Sequence, residues 1–395
     1  MGLYKPGSRL LNHDFCLVKK SKTGPIIYGF AVDETNSDPY SSVTYIEDCA
    51  GFTPATNVNG VFDGGSWLDV FPFNQIKPCH LDANGNIISY LNPNNFKQNE
   101  DGSQGSGFYR VVSEIPPIYW KFTKTDTGYE VRWSNVKVDD SYQALAHSRG
   151  DVVKGNLYVG VYEGNYSDSD SALCSRTGYA PTVSNNLSTF RTQASGWGNS
   201  GYGLMNFHTL TLLQILFVSM FKSLDSQSVL GQGITDASAM SNTGTMDTAG
   251  MYYGDPSDAT VGVKFMGIEN LWGNTNTWID GLIRSGNNML ISDNTIFNDT
   301  GEGYAYSYSS FNDENIGGYM GSVQGTQVGA FLPNYGYGTS STFYCDYGLQ
   351  PEDGGIIRHG GSYTNGSECG IFLYYRDNVT ATHAKTGARL QYLAP

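Results

Sequence analysis

The sequence predicts an α+β chain of short antiparallel strands, long ordered loops and one buried helix. Three observations predict it. Of 395 residues, 49 are Gly and 28 are Tyr, while only 15% are charged; this balance suits short strands joined by ordered turns and fits disorder badly. Runs such as PIYWKFTK and YEVRWSNV alternate apolar and polar residues, the period of a half-buried strand. One stretch, NFHTLTLLQILFVSMFKSLDSQS, carries Leu213, Leu216, Phe217, Met220 and Leu224 at helical spacing.

The length allows two or three domains and a substantial core. Residues 1–105 read as a mostly β first domain for assembly or attachment. PIIYGFAV (25–32) is a strand, and PCHLDANGNIISYL (78–91) is a hairpin around Asn84-Gly85, a strong turn pair. LNPNNFKQNEDGSQGSG (91–107) is polar and Gly-rich and reads as the linker to a second domain, 106–395. There GFYRVVSEI, PIYWKFTK and YEVRWSNV read as an antiparallel meander, and NLYVGVYEG as a further strand. The helix follows, with Asn206 or Thr209 as its cap. It is apolar almost all round, so it is expected to be buried against a sheet. From 231 to 345 the chain is rich in Gly, Ser, Asn, Asp and Tyr, which reads as long ordered loops over a small sheet.

Charge and motifs narrow the function. A net charge of −14 disfavours nucleic acid and anionic membranes as partners. The start, MGLYKPGSRLL, has no apolar run and Pro6 where a myristoylation site needs Ser or Thr. LTLLQILFVSMF (210–221) is too short to span a bilayer and is interrupted by Thr211, Gln214 and Ser219, so a soluble protein without membrane insertion is expected. Cys16, Cys49, Cys79, Cys174, Cys345 and Cys369 form no CxxC pair and read as buried thiols. His13, His80, His147, His208, His359 and His383 are scattered, with no HExxH or G-x-S-x-G motif. His359 reads as a satisfied core histidine. No cofactor is expected. Asp- and Asn-rich loops such as SDNTIFNDTGEG (292–303) offer oxygen ligands for calcium without matching an EF-hand.

Three stretches then line up: GIENLWGNTNTWIDGL (267–282), RHGGSY (358–363) and TGARL (386–390). In this order they resemble the signature of the formylglycine-generating-enzyme branch of the C-type-lectin fold, shared by the variable proteins of diversity-generating retroelements and by phage major tropism determinants. TLLQILFVSMFKSLDSQSVLGQG, YEGNY and YGFAVDETNSDP also resemble phage tail proteins of gut bacteria. The resemblance covers about 106–395 and implies a C-type-lectin-like domain there. Trp272, Trp278, the Gly360-Gly361 pair and Tyr363 read as scaffold residues, and Arg389, near the end of a final strand, is expected to pair a carboxylate such as Asp280 and pin the terminus. Formylglycine-generating enzymes use two cysteines after this Gly pair with copper and oxygen. Here Asn365 holds the first position and Cys369 lies one residue before the second, so oxidase activity is not expected.

The resemblance implies a phage or prophage tail-tip or fibre protein in the virion, made in the bacterial cytoplasm, that binds a host cell-surface glycan or protein. Other tail proteins would be its further partners, and a symmetric homo-oligomer such as a trimer, formed through 1–105, its state. The alternatives are a structural tail or baseplate component and, behind it, an enzyme acting on surface glycan, which would need two suitably spaced carboxylates. Residues 363–383 read as the display surface, because function commonly sits on loops held by a rigid frame and the composition resembles that of a paratope. The expected ligand-binding residues are Tyr363, Thr364, Asn365, Ser367, Glu368, Tyr374, Arg376, Asp377, Thr380 and His383. If 371–376 is a strand, its neighbours alternate, and Tyr374 and Arg376 are expected outward, with Tyr375 inward.

Overall fold

The computed structural model describes residues 24–105, 107–309, 317–350 and 352–395. His13 and Cys16 lie outside the described residues, as does most of the segment before the first strand. The fold is α+β, mostly strand with few helices. The strands of its three large sheets begin with β1 (Tyr28–Asp33), β2 (Val43–Glu47), β3 (Lys77–Leu81), β4 (Ile87–Asn92), β5 (Asn95–Asn99) and β6 (Val111–Ile115). Next come β7 (Tyr119–Lys124), β8 (Gly128–Ser134) and β9 (Leu157–Gly160), helix α1 (Leu187–Ser195), β10 (Tyr202–Leu204) and helix α2 (Phe207–Phe221). The chain closes with β11 (Asn276–Ile279), β12 (Gly317–Tyr319), β13 (Tyr347–Leu349), β14 (Gly355–Gly360), β15 (Gly370–Asn378), β16 (Thr386–Gly387) and β17 (Leu390–Tyr392). The sheets have the orders β2-β1-β8-β7, β10-β17-β9-β6-β3-β4-β5 and β12-β13-β15-β14-β11-β16. Two pairings in the last are parallel, β11 with β16 and β13 with β15; the rest of that sheet is antiparallel.

The boundary expected at 105/106 is not a seam. β1 pairs with β8 in register from Tyr28–Trp133 to Asp33–Gly128, and β3 pairs with β6. One buried apolar cluster runs from Tyr28 to Leu393. The stretch read as a linker holds the end of β4, then β5 and the turns on either side of it, closed by Glu100 N–H to Tyr90 O and Asn99 N–H to Ser103 O, both 2.9 Å. It is polar because β5 is the outer strand of its sheet, where charged and polar side chains guard an edge. The expected meander also divides. β7 and β8 pair as read, but β6 joins the seven-stranded sheet between β9 and β3. Pro116-Pro117 separates the two: neither residue can donate to a ladder, so the chain leaves one sheet and enters another. The Asn84-Gly85 hairpin joins β3 and β4 as expected.

Helix α2 starts at the Asn206 cap, whose side chain accepts from Thr209 N–H at 3.0 Å. It ends at Lys222, in the left-handed conformation with φ 51°, so Leu224 lies beyond it. Every residue of the helix is buried, as a helix apolar all round must be. Three of its polar residues each serve a different sheet. Thr209 Oγ1 donates to Gln391 Oε1 of β17 at 2.7 Å. Gln214 Nε2 donates to Ile371 O of β15 at 2.8 Å. Ser219 Oγ accepts from Trp133 Nε1 of β8 at 2.9 Å. They stand five residues apart, and five steps of an α-helix turn about 140°, so the three directions are spread around the axis. Among the described residues no helix is long and apolar enough to cross a membrane.

Candidate functional site

The last third of the chain is clamped from below. Gly360 and Gly361 have φ of 89° and 86°, a region that favours glycine. A Cβ on Gly360 would stand 2.8 Å from Leu271 O, and one on Gly361 2.3 Å from Cys369 Sγ. Trp272 and Trp278 are fully buried, and their indole N–H groups donate to Gly231 O and Asn185 O at 3.0 Å. Arg389 is fully buried but does not meet Asp280. Its Nη1 donates to Gly160 O and Val161 O, both at 3.0 Å, and its Nη2 to Glu269 O at 2.8 Å and Asn270 O at 3.1 Å. Burial lowers its pKa to about 10, and the charges of Glu163 and Glu269 oppose that shift. Asp280 instead takes both 2.9 Å bonds of a forked pair with Arg191. The terminal arginine thus pins the end of the chain through four carbonyls.

Between the clamps, 363–383 is not one display loop. Its middle is β15, an inner strand of the six-stranded sheet, with Ile371, Phe372, Leu373 and Tyr374 fully buried. The alternation is opposite to the expected one. Tyr374 points at α2, where Gln214 Nε2 donates to its hydroxyl at 2.9 Å; Tyr375 lies on the other face. The phase is set by His359, the cross-strand partner of Tyr374. His359 is buried, its Nε2 is 2.9 Å from Ile371 O, and burial lowers its pKa to about 4. Arg376 is partly exposed and pairs with Glu352 at 2.8 Å.

The face turned away from α2 carries a row of side chains crossing the sheet. The Tyr319 and Tyr347 ring centroids are 5.8 Å apart, and those of Tyr347 and Tyr375 5.9 Å. The Arg358 guanidinium lies 4.7 Å from the Tyr375 ring. Trp278 is its cross-strand partner on β11. Arg358 also bonds Asp377 at 2.6 Å, Asp377 bonds His383 at 2.9 Å, and the His383 ring lies 5.9 Å from that of Trp278. At the other end Glu368 accepts from the Tyr375 hydroxyl, and Asn365 Nδ2 reaches that hydroxyl at 3.0 Å. Burial and the Glu368 carboxylate raise the Tyr375 pKa, so the phenol stays protonated. The Tyr319 hydroxyl meets Ser367 Oγ at 2.9 Å. Lys385 Nζ donates to Thr364 Oγ1 at 2.7 Å and lies 5.0 Å from the Tyr363 ring.

The expected residues therefore fall into two groups along β15. Thr364, Asn365, Ser367 and Glu368 line an open cleft of about 430 Å³ with Gln227, Gln232, Thr235, Asp236, Ala259 and Tyr319. Arg376 and Asp377 line a smaller cleft of about 220 Å³ with Glu352, Asp353, Gly355 and Asn378. Tyr363 and His383 flank the face, Thr380 is exposed on the turn after β15, and Tyr374 leaves the site. Tyr319, Tyr347, Arg358, Tyr375 and Lys385 join it. Arg358 and Tyr375 could have been found by phase, since each neighbours a residue on the buried face. Tyr319 and Tyr347 carry no local signal, because β13 reaches β15, and β12 reaches β13, only through tertiary pairing.

This face carries aromatic rings, paired charges and hydroxyls on a rigid sheet. Cys369 is fully buried beneath it, its thiol pKa pushed far up by burial, which works against thiolate chemistry. Among the described residues no group of three or more His, Cys, Asp or Glu could hold a metal. In the 292–303 loop, Asp293, Asn294 and Asn298 spend side-chain groups on Thr295, on the Leu145 and Ser148 carbonyls, and on Thr300.

No protein-family model matches the chain, and no curated protein does. Among solved structures, the Major Tropism Determinant U1 variant aligns at a TM-score of 0.31 with 11% identity, over 94% of this chain and 73% of that one.

Proposed function

We propose that this chain is a ligand-binding protein whose recognition surface is the face of the six-stranded sheet turned away from α2. The observation that carries this reading is the row Tyr319, Tyr347 and Arg358, drawn from three strands and backed by Tyr375, which is buried behind it. Tyrosine and arginine dominate binding hot spots because they give large, stiff contact area and strong hydrogen bonds. Here they stand on backbone already fixed by the sheet, so little ordering cost remains when a partner docks. Tyr363, Thr364, Asn365, Ser367, Glu368, Asp377 and His383 supply the polar surround.

The motifs 267–282, 358–363 and 386–390, with the resemblance of 211–233 to tail proteins, make the wider reading a C-type-lectin-like phage or prophage tail-tip or fibre protein. Its partner is then a host-surface glycan or protein, with other tail proteins and further copies of the chain as assembly partners. The test is adsorption. Purified full chain added in excess should block adsorption of the parent phage to its host. Tyr319→Ala and Tyr347→Ala, changes at half-buried rings, should relieve the block without lowering the thermal midpoint. Blocking that survives both changes removes the sheet face from recognition. Failure of the wild-type chain to block leaves a structural tail component as the better reading.

A further inference from the structure

A third cleft lies on another part of the molecule, where β5 and the entry to β6 meet the segment 176–179. Its volume is about 350 Å³, within the range of small-molecule sites. Lys97, Phe108, Tyr109, Arg176, Thr177 and Tyr179 line it. Tyr109 and Tyr179 are 38% and 47% exposed, large rings left open to solvent. Between them stands Arg176, its guanidinium 3.7 Å from the Tyr179 ring centroid and 5.8 Å from that of Tyr109.

The charge on Arg176 is not neutralised. Its Nε and Nη2 donate to Asn165 Oδ1 at 2.9 and 2.6 Å, an uncharged acceptor. Among the described residues it makes no ion pair with a carboxylate, and its Nη1 has no hydrogen-bond acceptor. Lys97 adds a second, half-exposed cation, 3.6 Å from Asp247, which is buried behind the cleft. In a chain of net charge −14, an arginine stacked on tyrosine and left without a counter-charge is conspicuous.

The walls are also held in place. Ser175 N–H donates to Tyr109 O at 2.8 Å and Val111 N–H to Ser175 O at 2.9 Å, which fixes Tyr109 beside Arg176. Gly178 N–H donates to Thr243 O at 2.9 Å and Thr243 N–H to Tyr179 O at 3.0 Å, which fixes the opposite wall. A stacked guanidinium keeps its orientation and presents its free edge for a charge-assisted bond.

The geometry points to a binding site for an anionic saccharide: a carboxylate-bearing sugar ring with its acid group on Arg176 and Lys97 and its C–H face against Tyr109 or Tyr179. The tyrosines match the apolar face of a pyranose, and the cations match its acid. A nucleic acid would bring a run of phosphates toward a strongly negative chain, so a short sugar fits better. This assignment is independent of the sheet face.

The test uses the full chain and two probes, a hexuronate tetrasaccharide and the same sugar with its carboxyl groups reduced, followed by titration calorimetry. The acidic sugar should bind. Arg176→Gln, Tyr179→Ala and carboxyl reduction should each weaken binding about tenfold or more, with the thermal midpoints of both variants unchanged. Tyr347→Ala on the sheet face should bind the acidic sugar like the parent chain. Equal binding of the two probes, no binding by the wild-type chain, or full binding by Arg176→Gln overturns the assignment. Displacement of the sugar by an equal concentration of inorganic phosphate means a bare anion site and overturns it too.

Discussion

Replacing Gln214 by Leu should destabilise the chain by about 1–3 kcal/mol, and a second change, Tyr374→Phe, should give part of that back. The magnitude follows from which atoms are orphaned. Gln214 Nε2 donates to Ile371 O at 2.8 Å and to the Tyr374 hydroxyl at 2.9 Å, and the amide oxygen lies 3.2 Å from the same hydroxyl. All three residues are fully buried. Leucine fills similar space but offers no polar atom. Ile371 O keeps its contact with His359 Nε2 at 2.9 Å, so the loss falls on the Tyr374 hydroxyl, a buried group left without a partner. Such a group costs about 1–3 kcal/mol, whereas removing both partners together is nearly neutral. The double variant should therefore be less destabilised than the sum of the two single changes, with a coupling of about 1–2 kcal/mol. Urea denaturation followed by tryptophan fluorescence reads this as midpoint shifts at constant slope. Strict additivity, or a Gln214→Leu cost below about 0.5 kcal/mol, would show that Tyr374 does not face the helix. The strand phase, and the binding face deduced from it, would then be wrong.

Leu216→Ala should cost about 2–5 kcal/mol as a cavity in a fully buried helix; a midpoint shift equivalent to less than about 0.5 kcal/mol in the same urea assay would place the helix at the surface. Gly361→Ala combines a φ of 86° with a Cβ 2.3 Å from Cys369 Sγ, so the thermal midpoint should fall sharply; an unchanged midpoint would refute the clamp. His208 is buried and its pKa is lowered from 6.5 to about 4 by desolvation. Its neutral form is the folded one, so its contribution is complete above pH 6.5 and is lost as pH falls toward 4, when the unfolded chain takes up the proton first. The stability gap between wild type and His208→Gln should therefore narrow by about 1.4 kcal/mol per pH unit across that window; a gap that stays constant would contradict it. Incubation with copper, oxygen and a Cys-containing peptide should leave the peptide thiol intact, and aldehyde in the product would reverse the reading of Cys369.

Much of the architecture was legible because it is written in local periods. The alternation in β7 and β8, the Asn84-Gly85 turn and the helical spacing of Leu213, Leu216, Phe217 and Met220 each act within a few residues. The failures share one cause, which is that sheet membership is decided by distant partners. VVSEI looks like the neighbour of PIYWKFTK, yet its five buried residues belong between β3 and β9. The polar 91–107 stretch has the composition of a linker and is an edge hairpin. Arg389 was matched to a carboxylate, as a charge near a strand end invites, but a fully buried guanidinium can be satisfied by four carbonyls when its own strand brings them together. At the site, composition located the region and missed the phase. Tyr374 and Tyr375 are identical in chemistry, and only the core partner across the strand, His359, tells which one faces in.

The spacing of Thr209, Gln214 and Ser219 has a consequence for how this chain can change length. Deleting one residue between Thr209 and Gln214 turns everything beyond it by about 100°, so Gln214 leaves Ile371 and Ser219 leaves Trp133 in a single step. Insertions there misalign the same contacts. The exposed turns at 236–242, 255–260 and 295–300 carry no such rotational code, and extra residues in them change only local turns. Relatives of this chain should therefore keep the stretch from 206 to 221 free of gaps and accumulate their insertions in those turns, a pattern that sequencing alone can read.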